Sequence, residues 1–118
     1  MNFEKLMRTP IDRRRGGEIS EESQRQYQEA LRQRHAGVLG MMAIISAYPY
    51  DIPNFMPDII AKTFAHITDP NPISSTIRDG AASFKKSHSD TWHIDKNKFT
   101  RDQIEILNDT LSSGSYLA

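Results

Sequence analysis

Apolar residues recur at helical spacing in several stretches of this chain. In the stretch after Arg34, Val38, Met42 and Ile45 fall on one helix face. A polar half-helix from Ser20 precedes it, and a short helix is expected at the very start. No pair of alternating stretches indicates strands. The pattern therefore predicts an all-α fold, in which the main helices span 34–48, 54–68, 72–88 and 100–111.

Capping residues and helix breakers mark the helix boundaries. Asn54 and Asn71 are predicted N-caps, because short polar side chains accept hydrogen bonds from the first-turn amides. Thr100 and Gln103 have the spacing of a capping box. Gly114 is predicted to end the last helix. The chain therefore divides into a short helix with a basic linker (1–19), a helical domain (20–111) and a flexible tail (112–118).

Small residues and turns indicate how the helices pair. Gly37 and Gly40 lower helix propensity, so we predict that another helix passes close to them. Residues 54–87 have the form of an antiparallel helix pair joined by an Asp-Pro turn, which is typical of a HEAT repeat. Two repeats are few for a solenoid. We therefore expect the end of a longer α-solenoid, with the last helix as its cap and an upstream repeat covering the apolar half of the long helix.

Composition and charge narrow the function. Only 37% of the 118 residues are hydrophobic, which predicts a thin core. Fifteen basic residues balance fifteen acidic ones, so direct DNA binding over the whole surface is not expected. The chain has no cysteine, which excludes disulfides and thiolate metal sites. No apolar run approaches the roughly 18 residues of a membrane helix, and the N-terminus lacks the apolar segment of a secretory signal. We expect an intracellular soluble protein.

Candidate catalytic chemistry is sparse. His88, Asp90 and His93 form the tightest group of ionisable residues around the four histidines, but their spacing fits no metal motif. The chain also lacks a glycine-rich phosphate loop and a nucleophile elbow. We therefore predict no catalytic residue, no metal and no cofactor. Trp92 could stack on a ligand, but an anchor at the core edge between the last two helices is the preferred interpretation.

The basic triplet Arg13, Arg14 and Arg15 lies in a predicted loop between Pro10 and the Gly16-Gly17 pair. One interpretation is a solvated linker. The other is a nuclear-import signal or an anion-binding patch, which a run of basic residues also fits.

Three stretches together resemble a known family. They are RHAGVLGMMAIISAYPYDIPNFMPDIIAKTFAHITDPNPI, FKKSHSDTW and KFTRDQIEILNDTL, in this order. They are similar to the extreme C-terminal domain of the proteasome activator complex subunit 4 family, the very large HEAT-repeat activators that cap the proteasome core particle. The resemblance covers roughly 3–118, and the basic triplet stands where the family has an import-signal-like stretch.

The resemblance implies a role for the last three residues, Tyr116, Leu117 and Ala118, which would otherwise be an end without function. Activators of this family insert a hydrophobic–tyrosine–any tripeptide between two α subunits of the core particle. Tyr116 matches the hydrophobic position, and Ala118 supplies the terminal carboxylate. Leu117 departs from the family tyrosine. It is apolar but has no hydroxyl, which puts gate opening in doubt more than docking.

The resemblance also implies partners and a location. The implied partners are the α subunits of the core particle and, through the full-length protein, acetylated histones. The implied location is the nucleus and cytoplasm, with a link to DNA repair. The implied activity is the promotion of ubiquitin-independent degradation of peptides and proteins. A membrane is not among the implied partners. The alternative is a non-catalytic HEAT-type scaffold or a chromatin- or nucleic-acid-associated domain.

Overall fold

The computed structural model describes residues 2–11 and 21–115, with side chains as far as Leu111. Every regular element in these residues is helical, so the predicted all-α fold class is confirmed. The elements are α1 (Phe3–Met7), α2 (Glu21–Ser46), α3 (Met56–Phe64), a 3-10 turn (Ala65–Thr68), α4 (Ile73–His88), α5 (Trp92–Asp95), a second 3-10 turn (Lys96–Lys98) and α6 (Arg101–Ser115).

The predicted start of α3 and the predicted end of α6 are wrong. Asn54 does not cap α3, because the Met56 amide already donates to the Pro53 carbonyl at 2.9 Å and the helix begins only there. Gly114 does not end α6, which continues to Ser115. A single glycine costs a helix about 1 kcal/mol relative to alanine, which is too little to stop it by itself.

Asn71 does act on the first turn of α4, although from a different position than predicted. Its Oδ1 accepts hydrogen bonds from the Ser75 backbone N–H at 3.2 Å and from the Ser75 hydroxyl at 2.8 Å. The helix itself begins at Ile73, with Pro72 before it. The prediction that Asn71 is the N-cap, with Pro72 as the first helical residue, is therefore wrong by one position, because Pro72 itself occupies the N-cap.

The helices share one hydrophobic core, and α3 and α4 contribute its centre. Phe64 and Phe84 meet there edge to face, with ring centroids 6.2 Å apart. Side chains from α1, α2 and α6 complete it. The fully buried side chains include Met7, Val38, Ile52, Met56, Ile60, Phe64, Ile73, Ile77 and Leu107.

The close helix passage predicted at Gly37 and Gly40 is confirmed, but the neighbour is α1. A Cβ on Gly37 would collide with the backbone of Phe3, Leu6 and Met7, and one on Gly40 would collide with the Phe3 ring. From the sequence, an upstream repeat is expected to cover this apolar half of α2. In the structure, part of it is covered by the chain's own first helix, since the missing side chains let α1 lie directly on it.

The pair predicted as HEAT-like corresponds to α3 and α4. These two helices meet mainly through the 3-10 turn Ala65–Thr68, and few residues of α3 itself touch α4. The helix α6 packs against both of them, and α4 also packs against α2. The last helix therefore closes the core, as a cap would.

Candidate docking site

The start of α6 is fixed by the predicted capping box. The Gln103 side-chain oxygen accepts from the Thr100 backbone N–H at 2.8 Å, and the Thr100 hydroxyl oxygen accepts from the Gln103 backbone N–H at 3.2 Å. Two amides that would lack helix partners are thereby satisfied. This prediction from local spacing is confirmed.

The inner face of α6 is anchored in the core. Leu107 is only 1% exposed, as is Thr110. The Thr110 hydroxyl lies within hydrogen-bond distance of two carbonyls, Phe64 at 3.3 Å on α3 and Ile106 at 2.8 Å on α6 itself. The backbone then continues as helix for five residues, to Ser115. The root of the tail is thus held by burial and by a hydrogen bond to α3.

Trp92 is placed as predicted, at the edge of the core. Its ring centroid lies 6.3 Å from that of Phe84 on α4 and 5.4 Å from that of Phe99, just before α6. Phe99 is buried, whereas Trp92 remains half-buried. The tryptophan therefore links the end of α4 to the start of α6 and still offers one side to solvent.

A groove of about 500 Å³ runs between the end of α4 and the second half of α6. Its apolar lining includes the half-buried Trp92 and Leu111, and its polar lining includes Lys85. Leu111 lies four residues before the end of α6, so the groove adjoins the root of the tail. The lining residues are Phe84, Lys85, His88, Ser89, Trp92, Leu107, Asn108 and Leu111.

The histidine group singled out in the sequence is not assembled. Asp90 and His93 are exposed, whereas His88 is buried, with its Nδ1 3.7 Å from Asp95 Oδ2. The short helix α5 brings Asp95 back onto the end of α4, and Thr91 donates to the same carboxylate oxygen at 2.7 Å. Within residues 2–11 and 21–115, no group of three or more His, Asp or Glu side chains could hold a metal ion.

A polar cluster that sequence reasoning missed joins three parts of the molecule. Arg34 on α2 donates through Nη1 to Asp69 Oδ2 at 3.0 Å and through Nε to the Thr9 carbonyl at 2.9 Å. His66 Nδ1 lies 2.7 Å from the same Asp69 oxygen. The Arg34 and Asp69 side chains are each 14% exposed. The cluster holds the segment after α1 against the body of the domain.

In the part of the chain that the structure describes, no helix is both long enough and apolar enough to cross a membrane.

Residues 31–118 match the family model described as "Proteasome activator complex subunit 4-like, C-terminal". The chain belongs to this family. The match includes α6, the groove and the last three residues, and it begins after Arg13–Arg15.

Individual relatives support the assignment to the proteasome activator complex subunit 4 family. The chain is 38% identical over 117 residues to "Proteasome activator complex subunit 4A" of Danio rerio, and 36% identical over 118 residues to "Proteasome activator complex subunit 4" of Homo sapiens; these alignments cover 99% and 100% of the chain. It is 44% identical over 84 residues, 71% of the chain, to "Proteasome activator subunit 4" of Arabidopsis thaliana. The alignments span only 6%, 6% and 5% of the respective relatives' length.

Two predicted site segments lie outside the described residues. They are the tail Tyr116, Leu117 and Ala118, and the basic triplet Arg13, Arg14 and Arg15. The roles assigned to them from the sequence stay predictions. The structure shows the helix that precedes the first segment. This helix, α6, is buried at Thr110 and its backbone continues to Ser115.

Proposed function

We propose that this chain is the tail-bearing end of a proteasome activator and that it binds the α subunits of the core particle through Tyr116, Leu117 and Ala118. It acts by binding and not by chemistry. The observation that carries the proposal is the family match, which extends over α6 and through the last residue. Docking of the tail and promotion of ubiquitin-independent degradation are parts of the proposal.

The packing of α6 against the core supports this function. A short docking segment binds better when the body that carries it is rigid, because less freedom is lost on binding. Leu107 and Thr110 fix α6 to the core, and helical backbone extends to Ser115.

The chemistry of the tail is suited to an apolar slot with a positively charged end. Tyr116 and Leu117 supply apolar surface, and a carboxylate at Ala118 supplies a charge that a lysine can pair with. Leu117 cannot donate a hydrogen bond, whereas a tyrosine could. We therefore assign docking to this tail and expect weak gate opening.

The test uses the complete 118-residue chain and purified core particle. Binding is measured for the native chain, for a chain ending at Ser115 and for Leu117→Tyr, together with core-particle hydrolysis of a short fluorogenic peptide. We expect the native chain to bind, the truncated chain not to bind, and only Leu117→Tyr to raise hydrolysis clearly. Equal binding by the native and truncated chains would refute tail docking.

Location and chromatin association form a separate part of the proposal. We place the protein in nucleus and cytoplasm, with Arg13, Arg14 and Arg15 as the import signal, and we assign acetylated histones as a substrate to the longer activators. Replacing the three arginines by alanine tests the first point, since a tagged chain should shift to the cytoplasm. Unchanged nuclear signal, with passive diffusion blocked by a large tag, would contradict it.

A further inference from the structure

The first helix, α1, lies in a groove that is built by other parts of the molecule. The floor of this α1 groove is α2 at Gly37 and Gly40, where α1 takes the space of the absent side chains. Its rims are Lys62 on α3 and Arg34 on α2. Arg34 is held in place by Asp69, whose Oδ2 lies 3.0 Å from Nη1 of the arginine. The groove is therefore shaped by side chains outside α1.

The contacts of α1 are those of a bound helical peptide. Phe3 and Met7, four residues apart on one helix face, pack against the core, and Met7 is only 1% exposed. Glu4 accepts a hydrogen bond from Lys62 at 3.3 Å, and Arg34 donates to a carbonyl just after the helix at 2.9 Å. Amphipathic helices bind in grooves through apolar anchors at this spacing.

The conformation of α1 depends on this groove. The helix has only five residues, and helices shorter than about 12 residues are marginal in water by themselves. Local hydrogen bonds close its two ends: Asn2 Oδ1 accepts from the Lys5 backbone N–H at 3.0 Å, and the Thr9 hydroxyl donates to the Leu6 carbonyl at 2.6 Å. Neither bond reaches the rest of the domain. The segment therefore has the properties of a bound ligand, which is ordered by the groove that holds it.

We propose that the α1 groove is a binding site for helical segments with the pattern Phe-acidic-x-x-Met, and that α1 is its displaceable occupant. A partner protein that carries such a segment binds by taking the place of α1. Gly37 and Gly40 admit a closely packed helix, Lys62 selects the acidic residue, and Arg34 binds the main chain beyond the methionine. This inference does not depend on the proposed function, since neither the core particle nor the tail takes part in it.

The probe for the α1 groove is a labelled peptide of residues 1–11, and its binding is measured by fluorescence anisotropy. In the complete native chain, α1 competes with the peptide. In the complete chain with Phe3→Ser and Met7→Ser, the competitor loses its two anchors. Because apparent affinity falls with the fraction of molecules whose site is free, we expect the double variant to bind the peptide at least about tenfold more tightly. Equal affinity, or no binding by a double variant that keeps its helical circular dichroism spectrum, would overturn the proposal.

A second preparation keeps every native side chain, so it does not depend on the folding of the double variant. A protease site is inserted between residues 15 and 16 of the complete chain, and the folded chain is cut there. The cut leaves α1 in its groove without a covalent link to α2. A large excess of labelled peptide should then enter the cut chain and not the uncut chain. Failure of the cut, folded chain to take up the peptide would contradict exchange at this site.

Matched substitutions test the groove itself. In the double variant, Gly37→Ala should abolish peptide binding because its Cβ would collide with the backbone of the incoming helix, whereas Gly80→Ala on α4 should leave binding unchanged. A peptide with Glu4→Gln should bind up to about fivefold less tightly, since exposed ion pairs contribute little. This loss should vanish in a chain with Lys62→Met. Equal effects of the two alanine substitutions, or an unchanged loss with Lys62→Met, would place the peptide elsewhere and overturn the proposal.

Discussion

The two ends of the described chain pack against the central helices in different ways. At the N-terminal side, α1 lies on Gly37 and Gly40, and its backbone occupies the space that their side chains would fill. At the C-terminal side, α6 is held by ordinary side-chain burial at Leu107 and by the hydroxyl of Thr110, with a groove left open next to it.

This difference indicates which amino-acid substitutions each end tolerates. A contact between helix backbone and glycine cannot accommodate an added side chain, because it contains no side chain that can rotate away. A contact made of side chains can lose one group and still remain in place, at the cost of a cavity. At the C-terminal side, Trp92 and Leu111 are only half-buried. The tight end is suited to closing the core and the looser end to presenting a tail.

The largest effect is expected at Leu107. Replacing it by alanine removes a fully buried side chain that fastens α6, and such substitutions cost about 2–5 kcal/mol. We expect a loss of this size in the free energy of unfolding, measured by urea denaturation with circular dichroism. Asn108→Ala, at the exposed neighbour, should change it by less than about 0.5 kcal/mol. Similar losses in both variants would show that α6 is not anchored through Leu107.

A pair of glycines tests the backbone contact of α1. Gly37→Ala would drive a Cβ into the α1 backbone, and overpacking of this kind costs about 1–3 kcal/mol. We expect lower stability and faster hydrogen exchange in α1.

The control is Gly80→Ala on α4, where the Cβ would meet only the end of the flexible Met42 side chain. Alanine also favours a helix by about 1 kcal/mol over glycine, so this variant should be close to neutral or more stable. If Gly37→Ala were also stabilising, α1 would not lie on Gly37 as described.

A smaller effect is expected at Thr110. Valine keeps the shape but removes the hydroxyl that lies 3.3 Å from the Phe64 carbonyl, and a net loss of about 0.5–1.5 kcal/mol is typical of one hydrogen bond. Urea denaturation of Thr110→Val should show this loss. Thr68→Val, at an exposed position, should stay within about 0.5 kcal/mol of the native chain. A loss at Thr68 that equals the loss at Thr110 would argue against the bond.

The smallest effect concerns the charge contact between α1 and α3. Hydrogen bonds from Lys62 to Asp58, and then to Glu4, raise the pKa of Lys62 above its ordinary value of 10.5. A raised pKa stabilises the fold below 10.5, and that contribution is lost as the pH rises through the folded-state pKa. Compared with Lys62→Met, the native chain should lose its small advantage only in this alkaline range. An advantage that did not change with pH anywhere in the alkaline range would contradict this.

Local features of the fold were predictable from the sequence, and long-range pairings were not. The capping box at Thr100 and Gln103 depends on residues three apart, so their spacing alone indicated it. The glycines on α2 indicated a close neighbour, because their low helix propensity needs a packing reason. The neighbour is α1, and local spacing does not identify it because α1 lies more than 25 residues earlier in the sequence.

The same distance explains what was missed around the site. Arg34 and Asp69 are separated by 35 residues, and no local pattern links them. Asp95 approaches His88 only because α5 turns the chain back. Trp92 was placed correctly at the core edge, but the groove beside it needed the positions of α4 and α6 together. The tail itself was indicated by family resemblance and not by periodicity.

The most direct test of the central claim places a photo-cross-linker on the tail. Tyr116 is replaced by p-benzoylphenylalanine, which keeps an aromatic ring, in the complete chain, and the same residue is placed at exposed Gln24 as the control. After irradiation with purified core particle, we predict cross-links from position 116 to α subunits and none from position 24. Absence of cross-links from position 116, or equal cross-linking from both positions, would contradict docking through the tail.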